Sequence, residues 1–259
     1  MNKLLIGTNL KMYKGIRETS EYLSSLHELT QELINRITLF VIPSFTTLYH
    51  ARKIISDRSI LLGAQNMHPM EYGQFTGEIS PIMLSELGID IIEIGHSERR
   101  QIFRETDEEE NAKVLSALAH NFIALLCVGE TLDQKNYGVA DEAINIQIKK
   151  GLYGVNNNDI NNVWIAYEPV WAIGINGTPP EPDYVSERHL TIKRTLQNLF
   201  PETINIPVIF GGSVNQENAC QLLSLDNVDG LFIGRSAWDS QQFVKIINNV
   251  LPVWEEKYE

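Results

Sequence analysis

The chain has 259 residues, 43% of them hydrophobic, and a formal net charge of −12. That length suits one or two domains with a sizeable core, and the acidic balance argues against a nucleic-acid partner, because a phosphate backbone is bound by clustered Lys and Arg. A small anionic substrate stays open, since backbone N–H groups can hold a phosphate locally whatever the overall charge.

Taken in chain order, short apolar runs alternate with helical patterns. The N-terminal run Leu4-Leu5-Ile6 is too short for a signal peptide. Residues 17–35 follow, with Tyr22, Leu23, Leu26, Leu29, Leu33 and Ile34 at helical spacing. Further runs lie at residues 39–42, 60–62 and 91–94. Thr106 with Glu109 predicts a capping box that opens a helix through residue 118. The next runs cover residues 123–128 and 163–167. In the first of these, Cys127 reads as a buried thiol; with Cys220 as its only companion it gives no disulfide framework and fits a reducing compartment. A helix is expected from Asp183 toward Phe200, stopped by Pro201. Runs at 208–210 and 231–233 and an amphipathic stretch at 240–255 complete the chain.

These eight runs read as strands buried on both faces, the pattern of a parallel sheet. With a helical connection after each, they predict an α/β fold: one closed (β/α)₈ barrel, residues 1–259, as a single domain. An open doubly wound sheet is the alternative. No low-complexity linker or charge block divides the chain, and no run reaches the ~20 apolar residues of a membrane span. A soluble, cytoplasmic protein is expected.

In such a barrel the functional residues follow the C-terminal ends of strands. The polar and glycine-rich segments fall there: Thr8-Asn9-Leu10-Lys11, Gly63-Ala64-Gln65-Asn66, Gly95-His96-Ser97-Glu98-Arg99-Arg100, Glu168-Pro169-Val170-Trp171, Gly211-Gly212-Ser213 and Gly234-Arg235-Ser236. Five segments, Gly7-Thr8-Asn9-Leu10-Lys11-Met12, Gly95-His96-Ser97-Glu98-Arg99-Arg100, Cys127-Val128-Gly129-Glu130, Tyr167-Glu168-Pro169-Val170-Trp171-Ala172-Ile173-Gly174 and Gly211-Gly212-Ser213-Val214, resemble the triosephosphate isomerase family in order and spacing. The resemblance spans essentially the whole chain. It implies a TIM barrel, an aldose–ketose isomerisation and a homodimer.

The residues bear separate arguments. Moving a proton between adjacent carbons of an α-hydroxy carbonyl needs a base fixed against a weak carbon acid. Glu168, ending an apolar strand before a proline and a tryptophan, has the setting for it. His96 precedes a helical turn, whose N-terminus disfavours an imidazolium. A neutral ring there donates a hydrogen bond to the substrate carbonyl, the role that the resemblance also implies; triosephosphate isomerase is the standard instance of this pairing. Lys11 supplies a fixed positive charge beside the developing enediolate, and Asn9 orients the substrate. Glu98 positions Lys11 or His96, or forms a salt bridge with Arg99 or Arg100. Gly174, Ser213, Gly234 and Arg235 match the family positions around the phosphate, where glycine admits close backbone approach and a short helix N-terminus after the eighth strand favours an anion. The six histidines show no metal-ligand spacing, so neither metal nor cofactor is expected.

Residues 169–180 are expected to form a lid over the enediolate phosphate. The loop around Phe75 and Thr76 is expected to insert into a second copy, as in the family. Several positions depart from the family pattern: Leu10 stands where tryptophan is usual, Ile175-Asn176-Gly177 replaces Thr-Gly-Lys, Phe210 replaces the tyrosine that latches the lid, and Pro179 lacks the N–H that this tyrosine would accept. Arg235 replaces a glycine; either its guanidinium grips phosphate or only its backbone N–H does. Residues 65–68, 176–179 and 230–238 are similar to a subgroup, the L-erythrulose-1-phosphate isomerases, which use the same base and electrophile on a four-carbon sugar phosphate. Three functions are therefore open. Foremost is interconversion of D-glyceraldehyde 3-phosphate and dihydroxyacetone phosphate. The second is the tetrulose phosphate reaction, and the third is non-catalytic binding of a phosphorylated metabolite.

Overall fold

All eight apolar runs become strands, because buried backbone must satisfy its N–H and C=O groups and flanking helices cover the sheet's outer face. The computed structural model describes residues 3–174, 177–202 and 206–258. The strands are β1 (Leu4–Asn9), β2 (Ile37–Ile42), β3 (Leu61–Ala64), β4 (Ile91–Ile94), β5 (Ile123–Val128), β6 (Val163–Tyr167), β7 (Val208–Phe210) and β8 (Gly230–Phe232). Each pairs in parallel with the next, and β1 pairs with β8 through Leu5↔Gly230 and Gly7↔Phe232. The sheet is a closed barrel, and the open doubly wound alternative is excluded.

The helices are α1 (Ile16–Thr30), α2 (Leu48–Ile54), α3 (Pro81–Glu86), α4 (Ser97–Ile102), α5 (Asp107–Ala119), α6 (Leu132–Asn136), α7 (Ala140–Gly151), α8 (Pro182–Leu199), α9 (Ala219–Leu223) and α10 (Ser240–Tyr258). The capping box opens α5 as expected: Glu109 N–H donates to Thr106 Oγ1, and Thr106 N–H to Glu109 Oε2. The helix expected over 17–35 is shorter. The Thr30 hydroxyl turns back onto the Leu26 carbonyl, and the chain tightens into a 3₁₀ turn at Gln31–Leu33. The last helix runs further than expected, to Tyr258, with Pro252 inside it.

Alternation along the strands divides the core in two. Leu5, Phe40, Ile42, Ile91, Leu125, Cys127, Trp164, Ala166, Ile209 and Phe232 fill the barrel. The opposite parity, beginning with Leu4, Ile6, Leu39 and Val41, packs against the helices. On β1 the inward parity of Leu5 continues to Asn9. On β4 that of Ile91 continues to Glu93. On β6 that of Trp164 and Ala166 continues to Glu168. Three polar side chains thus reach the same end of the barrel on the inner parity. No described helix is long and apolar enough to cross a membrane.

Candidate active site

Glu168 is held at the end of β6 by its N–H bond to the Val128 carbonyl, 2.8 Å. It is buried. Its Oε1 lies 3.7 Å from His96 Nε2, and its Oε2 has no hydrogen-bond partner. His96 is the N-cap of α4. Its Nδ1 accepts the Glu98 N–H at 3.1 Å. That bond assigns the lone pair to Nδ1 and the hydrogen to Nε2, the nitrogen that faces Glu168.

Lys11 follows β1 in the left-handed region, φ 51°, a conformation that costs free energy in a non-glycine residue and is found at functional sites. The turn is fastened from below. Asn9 Oδ1 accepts the Lys11 N–H at 2.6 Å, and Gln65 Nε2 donates to Asn9 Oδ1 at 3.1 Å and to the Lys11 carbonyl at 2.8 Å. Lys11 Nζ meets Glu98 Oε1 at 2.6 Å. Burial acts to raise the half-exposed Glu98 carboxyl, but the hydrogen bond and the charge of Lys11 hold it below the usual range. Of the partners considered for Glu98, both Lys11 and His96 are engaged, Lys11 by the carboxylate at 2.6 Å and His96 by the backbone N–H, and the two arginines are not. Arg99 pairs with Glu105, and Arg100 with Asp107 and Glu110.

All four expected phosphate residues line one cavity of about 630 Å³, together with Asn9, Lys11, His96, Glu98 and Glu168. A Cβ built on Gly174 or Gly234 would meet nothing within 4 Å, so both backbones border open space. Gly174 has φ 90° and Ser213 φ 50°. The Ser213 hydroxyl donates to the Ala172 carbonyl, tying the β7 loop to the lid. Arg235 is exposed and opens a 3₁₀ turn, Arg235–Ala237, which stands where the short helix was expected. Tyr22 OH anchors that turn on the Ala237 carbonyl at 2.7 Å. The cavity thus has Glu168 and His96 facing each other at one end and the backbones of Gly174, Ser213 and Gly234 bordering the other.

The lid begins with a 3₁₀ turn, Val170–Ala172. Ile175 and Asn176, two of the residues that depart from the family pattern, lie outside the described residues. Phe210 is fully buried, its ring 6.0 Å from those of Tyr167 and His189, so without a hydroxyl it serves as core. The described part of the lid is held elsewhere. Buried Glu130 accepts from Trp171 Nε1 at 2.7 Å, Tyr184 OH at 2.9 Å and Tyr167 OH at 3.1 Å, and Lys135 Nζ sits 3.5 Å from the centre of the Trp171 ring. The Leu10 departure also has a counterpart: Leu10 is buried, while Trp238 supplies an indole whose Nε1 donates to the Asn9 carbonyl at 2.9 Å.

The sequence assigns no role to two residues of this region. Glu130 stands in the Cys127-Val128-Gly129-Glu130 motif, and the partners that define its role come from distant segments. Glu93 lies in the apolar run 91–94, where a carboxyl at an inward position is an anomaly that parity exposes. Glu93, His96 and Glu168 each offer a ligand atom, all within 4.8 Å of one another. Spacing among histidines could not reveal that grouping. A cation there would occupy both His96 Nε2 and Glu168 Oε1, which face each other at 3.7 Å.

A family model described as triosephosphate isomerase matches residues 4–250. The chain is 42% identical over 246 residues to an L-erythrulose-1-phosphate isomerase of Rhizobium etli, covering 95% of this chain and 91% of the relative. It is 41% identical over 243 residues to one of Mesorhizobium japonicum (93% and 95%) and 40% identical over 248 residues to one of Brucella abortus (95% and 96%). With a closed eight-stranded parallel barrel and a family match over nearly its full length, the chain belongs to the triosephosphate isomerase family of phosphosugar isomerases.

Proposed function

We propose that this protein isomerises a four-carbon ketose phosphate, L-erythrulose 1-phosphate, with Glu168 as base and His96 as electrophile. The observation that carries the reading is the pairing of Glu168 Oε1 with His96 Nε2 at 3.7 Å, at one end of a cavity whose other end is bordered by Gly174, Ser213 and Gly234. The names of the relatives support the four-carbon substrate over the triose phosphate that the shared motifs put first. Pro179 and Arg235 lie in segments that resemble the same subgroup. A purely binding role is disfavoured because Lys11, His96 and Glu168 converge on one cavity.

In this substrate C1 carries the phosphate, C2 the carbonyl, C3 a hydroxyl and C4 a hydroxymethyl group. Glu168 takes the C3 proton, the bonding pair forms the C2–C3 double bond, and the carbonyl pair moves onto O2. His96 gives its Nε2 hydrogen to O2 and takes one from O3, while Lys11 stabilises the charge on oxygen. Glu168 returns its proton to C2. The carbonyl now lies on C3, so the product, numbered from its other end, is erythrulose 4-phosphate. Both partners are ketoses, because the phosphate on C1 blocks an aldehyde there; an aldose–ketose exchange belongs to the three-carbon substrate. Asn9 orients the enediolate, and the N–H groups about Gly174, Ser213, Gly234 and Arg235 hold the phosphate.

The reading includes a homodimer. Thr76 and Phe75 stand out on the loop between β3 and α3, and Met70 and Tyr72 beside them are exposed as well, an apolar surface of the kind that partners cover. A reducing, cytoplasmic setting fits the free thiols Cys127 and Cys220. The deciding experiment is kcat/KM measured side by side on L-erythrulose 1-phosphate and glyceraldehyde 3-phosphate. Turnover of the triose near the diffusional ceiling of about 10⁸–10⁹ M⁻¹s⁻¹, with none of the tetrulose, would reject the four-carbon reading.

A further inference from the structure

Glu93 is the third residue of β4 and shares the inward parity of Ile91. It is 1% exposed. Its Oε2 accepts Asn9 Nδ2–H at 2.6 Å, and its Oε1 has no partner. A Glu93 oxygen lies within 4.8 Å of both a His96 nitrogen and a Glu168 oxygen. The hydrogen bond it makes is to a neutral amide, not to a cation. Asn9 in turn fastens the left-handed turn of Lys11 through its Oδ1, so Glu93 is the base of a chain that ends on a catalytic residue.

Two carboxylates this close, walled off from water, cannot both ionise without a large cost. Glu168 must be the anion if it is to take a proton from carbon. The titratable groups that face Glu93 are Lys11 beyond β1, Cys127 on β5, His96 beyond β4 and Glu168 beyond β6. Lys11 alone among them is a fixed cation, and Glu98 already holds it. An enediolate forming above this cluster adds negative charge and opposes a second carboxylate further.

We propose that Glu93 is a positioning residue of the reaction: a carboxylic acid that keeps its proton, anchors Asn9 and leaves Glu168 as the one unpaired anion against the substrate. Burial, with the Glu168 charge acting in the same direction, pushes its carboxyl up to about 7, against the pull of the Asn9 hydrogen bond and the Lys11 charge. The role rests on the proposed isomerase reading with Glu168 as base.

Glu93→Gln tests it, because the amide keeps the shape and the acceptor for Asn9 but cannot ionise. At about pH 6, below the raised carboxyl value, E93Q keeps kcat within a few fold of wild type. As pH rises, wild-type kcat falls when Glu93 ionises, and E93Q does not show that fall. Glu93→Leu, which leaves Asn9 without its acceptor, lowers kcat by about tenfold or more with a smaller change in KM. Infrared difference spectra at the same pH show the carbonyl stretch of a protonated carboxylic acid, shifted in D₂O and missing in E93Q. A loss of about 10²-fold in E93Q at that pH, an alkaline limb identical to wild type, or no carboxylic acid band would each overturn the proposal while wild-type turnover stands. A wild type inactive on both phosphates would overturn the proposed function itself, and this role with it, although the band would still report the proton on Glu93.

Discussion

Replacing Gly211 by alanine should slow the enzyme without unfolding it. Gly211 follows β7, its N–H bonded to the Tyr167 carbonyl at 2.9 Å, and it stands directly against Glu168, the proposed base. A Cβ there would lie 3.0 Å from Glu168 Cγ and 3.2 Å from Oε1, with Phe232 Cδ1 at an ordinary 3.5 Å. Carbon atoms meet comfortably at about 3.5–4.0 Å, so Glu168 has to give way by about half an ångström. A misplacement of about 1 Å costs ~10²-fold. Half of that predicts about a tenfold loss in kcat, equivalent to about 1.4 kcal/mol of transition-state stabilisation. Gly211 is not in the left-handed region, so alanine adds no backbone strain and thermal stability should change little. KM should hold, because the proposed phosphate site lies at the other end of the cavity. Phosphorus NMR of L-erythrulose 1-phosphate turnover, which separates the two phosphate positions, gives kcat and KM directly. A kcat within twofold of wild type would refute the argument that this contact sets the position of the base.

His96→Gln should lower kcat by roughly 10²–10⁴ and leave binding of a phosphate-bearing competitive inhibitor within a few fold; an equal loss of inhibitor binding would indicate misfolding instead of lost chemistry. Arg235→Gly should shift the ratio of the two kcat/KM values toward the triose by ~1–3 kcal/mol, and an unchanged ratio would remove Arg235 from substrate choice. Equilibrium sedimentation should show a dimer at micromolar concentration, and a stable, fully active monomer would contradict the role given to Phe75 and Thr76. E93Q should also be more heat-stable than wild type at alkaline pH but not at acidic pH. The folded-state carboxyl is raised from an ordinary value near 4.5 to about 7, so wild-type stability is full below the lower value and is lost as pH rises through the higher one. Melting curves across that window check the sign.

The sequence by itself determined the barrel and the end of it that carries chemistry. Eight runs buried on both faces, each followed by a helical pattern, leave few ways to cover a parallel sheet. Strand ends that converge on one rim bring Asn9, Lys11, His96 and Glu168 together, although most of a chain length separates the first from the last. The rim glycines were legible for the same reason. Only the tertiary structure decided which charges pair. Glu98 has four basic candidates nearby in sequence or in function, and its carboxylate bonds to Lys11, 87 residues away, because Arg99 and Arg100 are drawn off by acidic residues at the start of α5 and just before it. Glu93 stayed hidden in an apolar run. Composition reports how many residues are buried, whereas parity and register decide which face a side chain takes, and only closure of the barrel sets that face opposite Asn9 and Glu168. The hold on the lid likewise moved from Phe210 to Glu130, whose three donors come from β6, the lid and α8. A hydrogen-bond network among distant segments follows from where the backbone places them, and local sequence carries no measure of that distance.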